Sequence, residues 1–162
     1  MGDSSFDIVS EVDLAEVDNA INMGMKEIQN CFDFKGSISN IERKDKEIDL
    51  LGDDDMKLRN VIDILETKLT KRNISLKFFD YQKEETALGG NVKQKVPIKQ
   101  GLGKEKAKEL TTFIKNSKIK VNAQINDDKI RVSSPKKDFL QDCMTALRGH
   151  DFGIVLQFNN FR

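Results

Sequence analysis

Apolar positions along this chain recur with two different periods, and the alternation between those periods is itself repeated. Over residues 6–12, Phe6, Ile8 and Val12 alternate with Asp7 and Glu11, which predicts a strand. Leu14, Val17, Ile21, Met25, Ile28 and Phe32 then return every three or four residues, the spacing of one helical face. Asp13 followed by Glu16 is an acidic form of the capping box that opens such a helix. Two further strands, at about 34–43 and 47–51, flank the turn-like KDK. Asp53 to Asp55 open a second helix with Leu58, Val61, Ile62, Leu65 and Leu69 on its apolar face, and SLKFFDYQ (75–82) reads as a closing strand.

Residues 82–91, QKEETALGGN, read as a linker with a Gly-Gly hinge. The pattern then returns: strand 92–98, helix 103–116, strand 118–125, the turn NDD, strand 129–133, helix 135–148 and strand 154–161. Ser134 and Pro135 supply an N-cap and a first-turn proline for the last helix. An offset of 82 sets Asp127 on Asp45, Ile130 on Ile48 and Val132 on Leu50. The same offset sets Leu140, Cys143, Met144 and Leu147 on Leu58, Val61, Ile62 and Leu65, as an internal duplication would. The opening strands need a different offset. Each copy reads βαββαβ, so the predicted fold class is α+β with two tandem ferredoxin-like domains. In each, two helices cover one face of a four-stranded antiparallel sheet and the other face stays free.

Composition narrows the function. With 162 residues, 38% of them hydrophobic and 33% charged, the chain has material for one core of ordinary size or two small ones. No apolar run approaches the ~18 residues of a membrane span. The opening MGDSSFDIVSEVD has neither the basic segment nor the apolar stretch of a secretory signal, and Phe6 stands where myristoylation needs Ser or Thr. Cys31 and Cys143 lie inside helical patterns without metal-ligand spacing, so a reduced, cytoplasmic protein is expected. Net charge is zero, yet residues 1–88 hold 20 acidic and 12 basic side chains while residues 89–162 hold 7 and 15. The second half is therefore expected to seek anions.

Parity on the second copy's strands shows where those cations would stand. Lys118, Lys120, Asn122 and Gln124 fall on the free face of one strand, and Lys129, Arg131 and Ser133 on that of the next. Lys93 and Lys95 add to them from strand 92–98, as do Gln157 and Asn159 from the last strand. Such a surface suits phosphates and base edges, although only Phe161, at the chain end, gives it an aromatic ring. GLGK (101–104) sits between a strand and a helix, where free N–H groups, Lys104 and the preceding Lys99 would hold a phosphate. It is not a Walker loop. The candidate nucleotide-binding residues are thus Lys99, Lys104, Lys118, Lys120, Lys129 and Arg131. His150 is the single histidine and lacks a carboxylate or thiol partner by spacing, and the acids at 53–55 are explained as a helix start. No catalytic residue, metal site or cofactor is expected.

These stretches resemble the YajQ family of bacterial nucleotide-binding proteins. The resemblance rests on SFDIVSEVDLAEVDNA (5–20), FDFKG (32–36), LETKLTKR (65–72), IKQG (98–101), KNSKIKVNAQI (115–125), KKDFLQD (136–142) and LQFNNFR (156–162). It implies two ferredoxin-like domains that exchange their first strands. Domain 14–99 would hold strand 92–98, and domain 100–162 would hold strand 6–12. That assignment takes Lys93 and Lys95 off the basic sheet and brings Asp7 and Glu11 to it. It also implies a nucleotide ligand (GTP, ATP or cyclic di-GMP) or RNA, and for some members a transcriptional regulator as partner. Pro97 departs from the pattern, since it lacks the N–H of a paired strand residue, so strand 92–98 is expected to lie at an edge or to bulge there. SPKKDF (134–139) is a second departure. The functional expectation is a non-enzymatic nucleotide-binding protein acting through its basic second half. The alternative is a protein–protein adaptor that docks a transcriptional or translational partner through its acidic first half.

Overall fold

Aspartates open both helices of the first repeat. In the computed structural model, which describes residues 3–162, Asp13 caps α1 (Leu14–Asn30) by accepting the Ala15 N–H at 2.9 Å. Asp54 caps α2 (Asp55–Lys71) by accepting the Lys57 N–H at 2.8 Å. Each side chain satisfies a helix-end donor that has no partner within the helix. The hairpins follow the same economy. β2 (Asn40–Lys44) and β3 (Glu47–Gly52) are joined by a two-residue turn in which Asp45 has φ +53°. β6 (Asn122–Asn126) and β7 (Lys129–Ser134) are joined by the equivalent turn, with Asp127 at φ +55°. Aspartate tolerates that left-handed conformation better than most residues. The offset of 82 thus aligns a turn as well as a core: Ile48 with Ile130, Leu58 with Leu140, Val61 with Cys143 and Leu65 with Leu147 are all buried.

The chain forms two compact units. One is Val12–Lys99, and the other joins the chain up to Glu11 to Gln100–Arg162. The first unit carries an antiparallel sheet in the order β2-β3-β5-β4, with β4 at Glu85–Thr86 and β5 at Val92–Pro97. Under α1 and α2 its core gathers Val17, Ile41, Ile48, Leu50, Leu58, Leu65 and Val96. The second unit contains β1 (Ser4–Val9), α3 (Lys104–Asn116), α4 (Lys137–Arg148) and β8 (Gln157–Asn159). Its sheet runs β6-β7-β1-β8, antiparallel throughout, around Phe6, Ile8, Leu110, Ile130, Val132 and Leu147. Hence β1 lies between β7 and β8, and β5 lies between β3 and β4.

Several expectations need correction. Pro97 puts β5 neither at an edge nor in a bulge: it is the last residue of an inner strand, opposite Glu47, so its missing N–H costs the ladder little. Residues 34–39 are not a strand. A 3-10 turn at Phe32–Phe34 leads into a loop held by Asp53, whose carboxylate accepts from the Ile38 N–H at 3.2 Å and from the Ser37 hydroxyl. Residues 75–82 form a single 3-10 turn, Leu76–Phe78, followed by an extended run. From that run the Asp80 and Gln82 N–H groups donate to the Pro97 and Lys95 carbonyls at 3.0 Å each. Residues 82–91 therefore belong to the fold of the first unit, and Gly89 and Gly90, at φ +75° and +80°, turn the chain back into β5. The last helix starts at Lys137, because Ser134 ends β7, buried, with its hydroxyl donating to the Lys120 carbonyl at 3.0 Å. No helix among the described residues is long and apolar enough to cross a membrane.

Close packing of β3 on α2 requires a glycine. A Cβ at Gly52 would stand 2.6 Å from the Leu58 backbone nitrogen. Gly52→Ala is expected to lose about 1–3 kcal/mol of stability, the usual cost of overpacking, read as a lower midpoint in urea unfolding. A midpoint equal to wild type would contradict this packing.

Candidate functional site

Three cross-strand pairs build the polar face of the second unit's sheet. The two-residue turn sets Asn126 opposite Lys129, Gln124 opposite Arg131 and Asn122 opposite Ser133. The intervening pairs, Ala123 with Val132 and Ile125 with Ile130, turn to the helices. β1 extends the face by placing Ser5 beside Ser133 and Asp7 beside Arg131, and β8 places Asn159 beside Asp7. The face so formed mixes amides and hydroxyls with two cations and one carboxylate.

That carboxylate is the feature composition did not reveal. Asp7 is only 5% exposed. It accepts from Arg131 Nε at 3.1 Å and from Asn160 Nδ2 at 2.9 Å. Burial pushes its carboxyl up, but the hydrogen bonds from Arg131 and Asn160, with the charges of Arg131 and Lys129, together hold it below the usual carboxylate range. Glu11 stands 3.9 Å from Lys129, and its backbone is clasped by the Gln157 side-chain amide in both directions at 2.9 Å. In the sequence Asp7 was an acid between two core positions of a strand, and only the strand exchange implied by the family resemblance brought it to this sheet. Asn160 left no signal.

The candidate cations separate into groups. Lys99 belongs to the first unit and pairs with Asp80 at 3.3 Å. Lys104 is the first residue of α3, and Lys118 lies two residues past its end. A helix of 13 residues is about 20 Å long, so these two lysines cannot hold one phosphate. Two of the four N–H groups of the GLGK loop are not free as expected: Gly101 donates to the Ser10 carbonyl at 2.5 Å and Leu102 to the Asp128 carbonyl at 3.1 Å. Lys118 and Lys120 are exposed but not on the strand, because Lys118 takes φ +60° and β6 begins only at Asn122. Among the described residues, Lys104, Lys118 and Lys120 form no ion pair, whereas Lys129 and Arg131 share the face with Glu11 and Asp7. Lys93 and Lys95 lie in the other unit's sheet, opposite Leu51 and Asp49.

Two further expectations change. Exchanging Asp3, Asp7 and Glu11 for Lys93, Lys95 and Lys99 leaves the second unit with 12 basic and 10 acidic residues, and the first with 15 and 17. The charge contrast is therefore +2 against −2, far weaker than the division by chain halves. Phe161 does not reach the polar face. Asn160, at φ +56°, forms a bulge, Ser5 pairs with Arg162, and the Phe161 ring stacks on Phe6 with centroids 6.2 Å apart. His150 packs between Phe113 and Phe152, at 5.1 and 4.5 Å. Cys143 is buried, and burial pushes its thiol up to about 11, away from nucleophilic use. Among the described residues no group of three His, Cys, Asp or Glu is placed to hold a metal ion.

Comparison with known proteins gives one consistent answer. The family model described as "Nucleotide-binding protein YajQ-like" matches residues 4–162. A protein of Carboxydothermus hydrogenoformans named "Nucleotide-binding protein" is 54% identical over 162 residues, covering 99% of this chain and 98% of the relative. Proteins of the same name from Alkaliphilus oremlandii and Syntrophotalea carbinolica are 53% and 54% identical over 160 and 158 residues. These alignments cover 99% and 98% of this chain, and 98% of each relative.

The Asp7–Arg131 pair predicts how stability depends on pH. Because the folded state holds the Asp7 carboxyl low, the pair's contribution is full above the unfolded value of about 3.9 and is lost as pH falls through the folded value. Arg131→Ala is expected to cost about 1.5–3 kcal/mol at pH 7 and to move acid unfolding to higher pH. Its deficit should shrink toward pH 2. A deficit equal at pH 7 and pH 2, measured by urea unfolding, would contradict the pairing.

Proposed function

The chain belongs to the YajQ-like family, and from that premise we propose that it is a non-enzymatic protein that binds phosphate-bearing nucleotides. The site is the polar sheet face of the second unit. One observation carries the reading: the register that sets Asn122, Gln124 and Asn126 against Ser133, Arg131 and Lys129 puts amides and cations in adjacent columns. Asp7 takes Arg131 Nε, which fixes the guanidinium and leaves its remaining N–H groups to donate to a phosphate. Lys118 and Lys120 stand on the approach to β6 and supply unpaired positive charge. The amides offer both donors and acceptors to a base edge.

No residue of these three pairs is aromatic. RNA-binding sheets gain much of their affinity by stacking bases on aromatic rings, so the face favours a compact nucleotide such as GTP, ATP or cyclic di-GMP over a strand of RNA. With no stacking platform, binding is dominated by charge and weakens as salt rises. The carboxylates at the face, Asp7 and Glu11, are taken up by Arg131, Asn160 and Lys129, so on this reading the nucleotide is released unchanged. A second reading, an adaptor, is favoured by the apolar side chains around the start of α2: Phe32, Ile38 and Met56 are 84%, 43% and 71% exposed.

Charge reversal separates these readings. Arg131 is left intact because it holds Asp7. Lys118→Glu with Lys120→Glu is expected to lower the affinity for GTP, ATP and cyclic di-GMP about tenfold or more, with the melting temperature unchanged. Raising the salt on wild-type protein should lower affinity in the same direction, with no labelled nucleotide turned over. Unaltered binding by the variant, or binding indifferent to salt, would overturn the assignment.

A further inference from the structure

One long side of the second unit's sheet ends in open backbone. β6 is an edge strand, and Asn122, Gln124, Ile125 and Asn126 on it are exposed. Because Asn126 and Lys129 flank the two-residue turn as a hydrogen-bonded pair, the even-numbered residues of β6 direct their N–H and C=O groups to β7. Ala123 and Ile125 direct theirs to the open side. Edge strands are normally blunted by charge, proline or a bulge. Residues 121–126, VNAQIN, carry none of the first two, and their pairing with β7 is regular.

We infer that β6 pairs antiparallel with β6 of a second copy of this chain, about a two-fold axis at Gln124. The argument is self-complementarity. In that register the outward groups of Ala123 face those of Ile125 from the second copy, so both strands exchange N–H···O=C bonds. On the helix side, Ile125 is 46% exposed, while beside Ala123 lies a groove of about 520 Å³ lined by Ile114, Ile119 and Val121. The large side chain of each copy therefore stands next to the small one of the other, at the mouth of that groove. On the opposite side, Gln124 meets its own counterpart and Asn122 meets Asn126, pairs of amides that donate to and accept from one another. Charge completes the fit. One end of the strand carries Lys118 and Lys120 and the other carries the Asp127–Asp128 turn, so the antiparallel arrangement brings the lysines of each copy to the aspartates of the other. A parallel or shifted pairing loses that match.

Five paired residues on each side make a small interface, so the dimer is concentration-dependent. Sedimentation equilibrium of the full chain should show a mass rising from 18.4 kDa toward twice that value as concentration increases to about 1 mM. Ile125→Lys sets a charged side chain against Ala123 at both symmetric contacts, with the two lysines diagonal neighbours across the pair, and should raise the dissociation constant about tenfold or more. Ala123→Pro removes only an outward N–H and should stay monomeric with unchanged circular dichroism. Gln124→Cys, in a Cys31→Ser background, should oxidise to a disulfide-linked dimer far faster than Lys104→Cys in that background. That comparison decides the matter should either of the other variants fail to fold. A wild-type chain that stays monomeric throughout overturns the inference, whatever other protein the edge receives. So does a folded Ala123→Pro or Ile125→Lys variant that dimerises like wild type, or equal oxidation of the two cysteine variants. None of these readings depends on nucleotide binding.

Discussion

The hydrogen bonding of β1 between β7 and β8 is the constraint on which the second unit depends. It brings Phe6 and Ile8, both fully buried, into a core whose other members lie more than ninety residues later in the chain. It also carries Asp7 to the centre of the polar face, where Arg131 and Asn160 satisfy it. A buried carboxylate without such partners would cost several kcal/mol, so strand, arginine and bulged tail are specified together. The same pairing tempers function. On the proposed reading, the face that presents Arg131 to a ligand also presents an anion beside it, and selectivity for phosphate would rest on the cations that Asp7 and Glu11 do not engage.

Local physics was readable from the residues. Helix positions followed from the three-to-four spacing of Leu14 to Ile28 and of Leu58 to Leu69, and their starts from Asp13 and from the run Asp53 to Asp55, of which Asp54 is the cap. The 82-residue repeat of the hairpin was legible because both turns need a tolerant residue at the same position, Asp45 and Asp127. Family membership was legible in the blocks at the two ends of the chain; the structure places the last block and residues 5–11 of the opening one in the second unit, and residues 12–20 in the first.

Non-local choices left weaker traces. Periodicity says that residues 6–12 and 92–98 alternate, but not which sheet receives them, and the charge of each unit turns on that choice. The bulge at Asn160 reversed the parity of Phe161, since one extra residue moves every later side chain to the other face. Lys118 and Lys120 kept strand-like alternation in the sequence, although a left-handed residue after α3 delays the strand until Asn122. Of the six candidate cations, Lys129 and Arg131 lie on the face, Lys118 and Lys120 beside it, and Lys99 and Lys104 apart from it.

Fold and proposed site meet in the β6–β7 hairpin, whose turn and register fix the amide and cation columns without help from a ligand. Mapping backbone and side-chain amide shifts by NMR while GTP, ATP or cyclic di-GMP is added tests that account most directly. The account predicts perturbations concentrated between Lys118 and Ser133, with the side-chain amides of Asn122, Gln124 and Asn126 among them. Perturbations confined to residues 12–99 would contradict it.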